Sequence, residues 1–291
     1  MLDPFTPSFF RQLQQLKIRT RRAFLGTRQG GHTSLRKGHG LEFSDFKLYT
    51  PGDDVRHVDW GAFARTERVY VREFREEQEI NVAVLIDTSA SMAFPEEQSK
   101  FNTARSLGLA LGYIALTDGD SVTFSLLGKK NSPRFSGPRS VRQAAKELSG
   151  VEPEGVFDMP AEVRAALARH RIPGKCFFIS DFLFPLEEQF TCLDYLRSRN
   201  FEICVLQILS PAEVRLEVSG PHTVIDAETG ETLELSLDKT SQQEYARALA
   251  SHIHALEQYC AKSGITHVLL VSDETVQELV IRKLPLAGVL Q

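Results

Sequence analysis

Oxygen-bearing side chains follow two apolar runs of the sequence, at the points where buried strands are predicted to end. After NVAVLI, the residues Asp87, Ser89 and Ser91 form a D-x-S-x-S pattern, and Asp181 follows the second run, KCFFIS. In an open parallel sheet, ligands gather at the carboxyl ends of the strands. A carboxylate and two hydroxyls at alternate positions can turn three hard oxygens toward Mg²⁺ or Mn²⁺. Asp181 could neutralise that cation directly or through a water.

The same residues also have a purely structural explanation. Asp and Ser after a strand are ordinary helix caps and turn formers, and either motif alone fits a cap better than a metal ligand. The occurrence of both motifs on two separate strands favours the geometry of a metal site.

The elements that must position these residues are those of an α/β fold with a doubly wound, mostly parallel sheet of the Rossmann type. Apolar runs predict strands at residues 81–87, 121–127, 175–181, 201–209 and 265–272. Helical patterns lie between them at residues 100–117, 138–148, 160–170, 186–198 and 240–262, and a last helix follows at 274–282. Two short β-like runs predict a hairpin insertion at about residues 222–236.

The first 78 residues are predicted to be an extension packed on a core domain of residues 79–291. Their pattern predicts a helix at 8–25, a glycine-rich loop at 26–40 and a strand at 69–74. Residues 1–40 carry eight basic side chains against one acidic side chain, a charge that could contact nucleic acid or an anionic membrane. Packing on the acidic remainder of the protein is the favoured alternative, because no RNA-binding motif accompanies the charge.

Composition sets the broad class of the protein. With 42% hydrophobic and 25% charged residues, fibrous and disordered classes are excluded. No apolar run approaches the roughly 18 residues of a membrane-spanning helix, and the N-terminus lacks the pattern of a secretory signal. We therefore expect a soluble, cytoplasmic protein. The four cysteines have neither metal-site nor redox spacing, so we expect reduced, buried thiols.

The segment DTSASM at 87–92, with SD at 180–181, resembles the metal ion-dependent adhesion site of von Willebrand factor type A domains. The resemblance covers roughly residues 80–210. It implies a divalent cation, Mg²⁺ or Mn²⁺, with one coordination position open for an acidic side chain of a partner. The positions that match the ligands of that site are Asp87, Ser89, Ser91 and Asp181.

One position departs from this pattern. The middle loop of such sites usually supplies a threonine, and alignment of GVFDM at 155–159 places Phe157 there. An aromatic ring cannot coordinate a hard cation. We therefore expect weaker metal binding unless water or Asp158 replaces the missing oxygen.

Longer motifs resemble domain-of-unknown-function family 58, a bacterial and archaeal group. They are GHTSLRKGHGLEF at 31–43, YTPGDDVRHVDW at 49–60, ART at 64–66, VREFREE at 71–77 and DAETGE at 226–231. The resemblance spans nearly the whole chain and implies a von Willebrand A-like protein without established catalysis. It also implies a role with a MoxR-type AAA+ ATPase or its client, in chaperone-like assembly or metal insertion.

The PGDDVRHVDW motif has two interpretations. In the first, its charged residues form an ion-paired turn and Trp60 is a core anchor. In the second, the motif is a further partner-binding surface. The residues concerned are Asp53, Asp54, Arg56 and Asp59.

Three hypotheses for function follow. The leading one is a non-enzymatic protein-interaction module that binds an acidic partner residue at the Asp87 site. The alternative is a Mg- or Mn-dependent phosphohydrolase or nuclease using Asp87, Asp158 and Asp181, although Ser89 stands where a haloacid dehalogenase-like arrangement needs an acid. The third is an assembly element whose metal site has decayed, which Phe157 favours.

Overall fold

A computed structural model describes residues 5–21, 29–38, 42–95, 99–129, 132–168, 172–216, 220–225 and 232–291. The chain divides into two compact units. Met1–Arg21 and Asn81–Gln291 form what we call the α/β unit, and Arg22–Ile80 form the N-terminal unit. The boundary near residue 80 lies close to the predicted one, but the first 21 residues belong to the α/β unit and not to the extension.

Helices and strands alternate through most of the described residues. The strands are β1 Gln29–Gly38, β2 Glu42–Leu48, β3 Tyr70–Gln78, β4 Asn81–Ile86, β5 Ser121–Leu126, β6 Arg134–Ser136, β7 Lys175–Ser180, β8 Glu202–Leu209, β9 Gly220–Ile225, β10 Thr232–Leu237 and β11 Thr266–Val271. The helices are α1 Pro7–Leu13, α2 Trp60–Thr66, α3 Lys100–Thr117, α4 Val141–Leu148, α5 Met159–Leu167, α6 Leu186–Ser198, α7 Pro211–Val214, α8 Lys239–Lys262, α9 Val276–Glu278 and α10 Leu284–Leu286.

A six-stranded sheet forms the centre of the α/β unit, in the order β11-β8-β7-β4-β5-β6. All neighbouring strands are parallel except β5 and β6. Every residue of β4, β7 and β8 is buried, as expected of parallel strands that helices cover on both faces. The predicted doubly wound, mostly parallel sheet is confirmed, although the short edge strand β6 was not predicted.

The strand order reverses between β4 and β7. From β4 the chain moves outward to β5 and β6, and then returns to β7 on the other side of β4. In doubly wound sheets this switch point leaves a crevice at the carboxyl ends of the two strands. The residues that follow β4 and β7 therefore meet at one place.

Helix α3 lies against the sheet through two glycines. A Cβ on Gly108 would lie 2.9 Å from Cδ1 of Ile86, and a Cβ on Gly112 would lie 2.5 Å from Cζ of Phe124. Ser99 caps the helix by accepting a hydrogen bond from the Asn102 amide at 3.2 Å. This close packing sets where the first residues of α3 stand relative to β4 and β7.

Helices α3 and α6 begin and end where predicted, whereas the helix predicted at 8–25 is too long. Helix α1 ends at Leu13, and Ile18 then forms an antiparallel bridge with Leu290. Backbone hydrogen bonds of Lys17 and Arg19 with the last residues of the chain flank the bridge. Pairing with the C-terminus therefore replaces the helix, and residues 22–25 lie outside the described residues. The helix predicted at 274–282 is a series of short helical turns.

The N-terminal unit contains a three-stranded antiparallel sheet in the order β1-β3-β2. Its first strand, β1, lies within the stretch that was predicted to be a glycine-rich loop, so that prediction was wrong. The β1–β3 pairing contains register shifts, at residues 29–32 and 33–37, and such irregularities admit extra residues into a ladder. The pairing partner lies some 40 residues along the chain, beyond any local sequence signal.

Strands β9 and β10 pair as the predicted antiparallel hairpin. The DAETGE motif at 226–231 lies outside the described residues. The hairpin separates α7 from α8, so it lies between the last two parallel strands of the central sheet in the sequence.

Two findings bear on the expectations from composition. The four cysteines are free and buried, as predicted, and burial raises the pKa of each thiol. No helix in the described parts of the chain is both long and apolar enough to span a bilayer.

The α3–sheet contact gives a stability prediction. Gly112→Val should lower the free energy of unfolding by about 1–3 kcal/mol, because the added atoms overlap the ring of Phe124. Denaturant unfolding would measure this, and Phe124→Leu in the same background should restore part of the loss. Equal stability of Gly112→Val and the wild type would contradict this packing.

Candidate functional site

The polar residues that follow β4 and β7 meet at the carboxyl edge of the sheet, in a cleft of about 670 Å³. The structure brings together every residue that the sequence associated with a metal site, including Phe157, which stands where a threonine was expected. The cleft is lined by Asp87, Ser89, Ser91, Phe157, Asp158 and Asp181, together with apolar residues and Glu188.

The loop after β4 turns its carboxylate and hydroxyls toward one point. Oδ1 of Asp87 accepts a hydrogen bond from the Ser89 amide at 2.8 Å, and Oδ2 accepts one from Oγ of Ser180 at 2.6 Å. The Oγ atoms of Ser89 and Ser91 lie 3.1 Å apart. Since each hydroxyl oxygen has two lone pairs, both can still accept a further contact from the cleft.

The middle loop is joined to this loop by its backbone. The Ala90 amide donates to the Gly155 carbonyl at 3.0 Å, and the Glu154 amide donates to the Thr88 carbonyl at 2.9 Å. The ring of Phe157 packs against Gly128, where an added Cβ would lie 2.6 Å from a ring carbon. An apolar ring therefore lines the cleft on the side where the resemblance leads us to expect a hydroxyl.

Asp158 is exposed and caps helix α5. Its Oδ1 accepts a hydrogen bond from the Ala161 amide at 2.9 Å. This is the structural role that a carboxylate before a helix commonly has. Although Asp158 lines the cleft, one of its two oxygens is already used, and its service as a replacement ligand stays a prediction.

Asp181 is paired with Lys100, a residue that the sequence analysis did not single out. Nζ of Lys100 donates to Oδ2 of Asp181 at 2.7 Å and to Oε1 of Glu213 at 2.5 Å. The lysine side chain is 0% exposed and that of Asp181 is 2% exposed. Burial by itself would lower the pKa of Lys100, but the two carboxylate charges outweigh burial and the pKa is raised. The sequence signal that could have identified Lys100 is its position as a lone cationic residue at the start of the apolar helix α3.

Asp87 has no such cation. Burial raises its pKa to about 6, and the nearby charge of Asp181 adds to the rise, while hydrogen bonds from Ser180 and Ser89 oppose it. Lys100 pairs with Asp181 and Glu213, so ionisation of Asp87 adds a third carboxylate charge beside a single ammonium and leaves an excess of negative charge. Buried charge without compensation is unfavourable.

The donor set fits a hard divalent cation in part. Asp87, Ser89 and Ser91 offer suitable oxygens beside uncompensated negative charge, whereas Phe157 offers none and Asp181 is already paired. No group of three His, Cys, Asp or Glu side chains within the described residues is placed to hold a metal ion. A cation here would therefore depend on the two serine hydroxyls.

The residue after Asp181 has a left-handed backbone. Phe182 has φ of 51°, which is unfavourable for a bulky side chain. Nε2 of Gln189 donates to the Phe182 carbonyl at 2.8 Å, and Nε2 of His252 lies 2.7 Å from the same oxygen. Such strain persists only where the surroundings hold it, and it is concentrated at functional sites.

The PGDDVRHVDW residues lie in the N-terminal unit and form an ion-paired turn. Asp53 pairs with Lys47 at 2.6 Å, and the hydrogen bond from that lysine lowers the pKa of Asp53 to about 2. Two further ion pairs and two caps complete the turn: Asp54 pairs with Arg56 and caps a 3₁₀ turn, and Asp59 pairs with Arg72 and caps α2.

Trp60 of the same motif was interpreted as a core anchor, and that interpretation is wrong. Its residue surface is 66% exposed, and its ring contacts Phe63 edge-on with a centroid distance of 6.3 Å. Because Trp60 is the first residue of α2, the Asp59 cap holds its backbone without burying its ring. A partner-binding role for the motif stays a prediction.

Removing the positive charge of Lys100 should destabilise the folded protein. Lys100→Met should lower the free energy of unfolding at pH 7 by about 3–5 kcal/mol, because Asp181 and Glu213 lose their common counter-ion. Denaturant unfolding would measure it. The triple variant Lys100→Met, Asp181→Asn, Glu213→Gln removes all three charges and should recover most of the loss. A single variant as stable as the wild type would refute the triad.

The raised pKa of Asp87 gives a pH prediction. The folded protein holds this proton more tightly than the unfolded chain, so ionisation of Asp87 costs stability as pH rises from about 4 to about 6, and the cost persists above pH 6. In EDTA, Asp87→Asn should therefore raise the melting temperature at pH 8 and have little effect at pH 4. An equal effect at both pH values would contradict the assignment.

Two crystal structures share part of this architecture at low sequence identity. The conserved hypothetical protein BatB from Bacteroides thetaiotaomicron has a TM-score of 0.43 and 13% identity, covering 72% of this chain and 98% of that chain. An aerotolerance-related membrane protein from Bacteroides fragilis has a TM-score of 0.36 and 15% identity, covering 62% and 99%. Both scores are below 0.5, so the fold described above rests on the strand order of this chain.

Sequence relatives cover more of the chain. The uncharacterized protein Rv1480 of Mycobacterium tuberculosis is 28% identical over 253 residues, which are 84% of this chain and 79% of the relative. The uncharacterized protein Mb1516 of Mycobacterium bovis matches to the same extent. The family model described as "Protein of unknown function DUF58" matches residues 45–255. That match spans well over half of the sequence, and the chain belongs to the DUF58 family.

Proposed function

We propose that this protein is a non-enzymatic protein-interaction module that binds an acidic side chain of a partner in the cleft beside Asp87. The observation that carries the proposal is the convergence of the Asp87, Ser89 and Ser91 oxygens at a cluster with excess negative charge. Such a cluster favours the uptake of positive charge.

Mg²⁺ or Mn²⁺ would be held by Asp87, Ser89 and Ser91. Asp181 would stay paired with Lys100. A bound cation supplies an open position for a carboxylate oxygen of the partner. Around that position the chain offers apolar contacts, because Val156 and Leu183 line the cleft and are 58% and 37% exposed. A partner segment with an acidic residue flanked by apolar ones would match this surface.

The partner we propose is a MoxR-type AAA+ ATPase or its client, with a role in chaperone-like assembly or metal insertion in the cytoplasm. Support for this choice comes from the resemblance in sequence to domain-of-unknown-function family 58. The cleft is consistent with it, since one exposed carboxylate on the ATPase or on the client would suffice for recognition.

The phosphohydrolase or nuclease alternative requires Asp87, Asp158 and Asp181 to act together on one substrate. Asp158 caps α5 and Asp181 is bonded to Lys100. Asp87 also accepts hydrogen bonds from Ser89 and Ser180. Since Asp181 is neutralised by Lys100 and Asp158 is fixed as a helix cap, neither is free to act as a catalytic acid or base, and this favours a binding role over catalysis.

The proposal predicts metal-dependent capture of the partner. Immobilised protein should retain a purified MoxR-type ATPase or its client in Mg²⁺ or Mn²⁺ but not in EDTA, and Asp87→Ala or Ser89→Ala should weaken retention by at least about tenfold. Glu188→Gln removes a carboxylate that lines the same cleft and has no ligand role in the proposal, so it is the matched control. Retention that survives both Ala substitutions and EDTA would refute the role of this cleft.

Calorimetric titration of the same variants separates the two parts of the proposal. If metal binds the wild type and not Asp87→Ala, but neither the ATPase nor its client is captured, the cation site is supported and the proposed partner is refuted. Capture without any metal binding would refute the cation. In each case, thermal unfolding should first show that the variant is folded.

A further inference from the structure

A second cleft of the α/β unit lies between α3 and α4 and shares no residue with the Asp87 site. This α3–α4 groove has a volume of about 600 Å³. The buried residues Leu109, Ala145 and Leu148 form its floor. Its charged lining residues are Arg105, Arg142, Lys146 and Glu152, so positive charge predominates.

The lining of the groove is basic on balance. It carries three basic side chains against the single carboxylate of Glu152, although the net charge of the protein is −4. Two of the three, Arg142 and Lys146, lie on the exposed face of α4 at the groove. A local excess of one charge in a cleft concentrates ligands of the opposite charge.

The basic groove side chains have little compensation. The side chains of Arg142 and Lys146 make no hydrogen bond or ion pair with any residue that the structure describes, whereas that of Lys129, nearby in sequence, pairs with Glu154. Arg105 donates to Oδ1 of Asn102 at 2.8 Å, which leaves most of its donors available. The groove therefore presents unpaired donors above an apolar floor.

We infer that the α3–α4 groove docks an acidic amphipathic segment of a partner protein. Carboxylates of that segment would face Arg105, Arg142 and Lys146, and its apolar side chains would lie on Leu109 and Ala145. This is the helix-in-groove mode of recognition with a charged rim. Nucleic acid fits less well, because the groove has no aromatic ring on which bases could stack.

The test uses a fluorescein-labelled peptide of about 15 residues, built from leucine and glutamate at helical spacing, and fluorescence anisotropy. The wild type should bind it, and Arg142→Glu with Lys146→Glu should weaken binding by at least about tenfold. The matched control, Arg164→Glu with Lys262→Glu, reverses two exposed charges outside the groove and should bind like the wild type. All substituted residues are exposed, and melting temperatures would verify folding.

Three further probes define what would overturn the inference. A peptide with lysine in place of glutamate and one with serine in place of leucine should each bind much more weakly. If the lysine peptide bound as tightly as the acidic peptide, charge would not explain the binding. If the serine peptide did, the apolar floor would not explain it. No binding of the acidic peptide, equal loss in the control variant, or groove-dependent binding of an oligothymidine instead would overturn the proposal. The Asp87 site is unchanged in all these variants. A failure of the groove proposal can therefore be distinguished from a failure of the proposed function, which the metal-dependent capture experiment tests.

Discussion

The ammonium of Lys100, buried between Asp181 and Glu213, is the interaction on which the carboxyl edge of the sheet depends. Breaking a buried ion pair by removing one partner costs several kcal/mol, so the start of α3, the end of β7 and helix α7 must stay together. Glu213 extends this constraint, because its other carboxylate oxygen accepts the Ser210 amide after β8. One side chain therefore joins three elements, while Asp87 at the same edge has no cation of its own.

Helix α3 connects this constraint to the rest of the α/β unit. Its first residue is Lys100, its glycines at 108 and 112 allow contact with the sheet, and Arg105 and Leu109 line the α3–α4 groove. The helix is almost wholly buried, so it behaves as a fixed part of the core. Both proposed binding surfaces therefore have a common rigid support, which is the arrangement that holds binding groups most accurately.

Phe157 shows how the site differs from the pattern that it resembles. Its ring packs on Gly128, and the backbone of its loop bonds to the loop that carries Ser89 and Ser91. The loop is thus held in place without supplying an oxygen. With fewer protein ligands, a cation would rely more on water and on a carboxylate from outside, so metal binding and partner binding would reinforce each other.

The sequence by itself determined the parallel sheet, the limits of α3 and α6, and the meeting of Asp87, Ser89 and Ser91 with Asp181. These features depend on local burial periodicity and on the rule that parallel strands end at one edge. Only the tertiary structure decided three others: the pairing of Lys100 with Asp181, the strand β1 within a glycine-rich stretch, and the exposure of Trp60. The first two depend on neighbours distant in sequence, such as Asp181, which lies 81 positions from Lys100, and local patterns do not record such neighbours. Trp60 is exposed because the Asp59 cap holds its backbone without burying its ring.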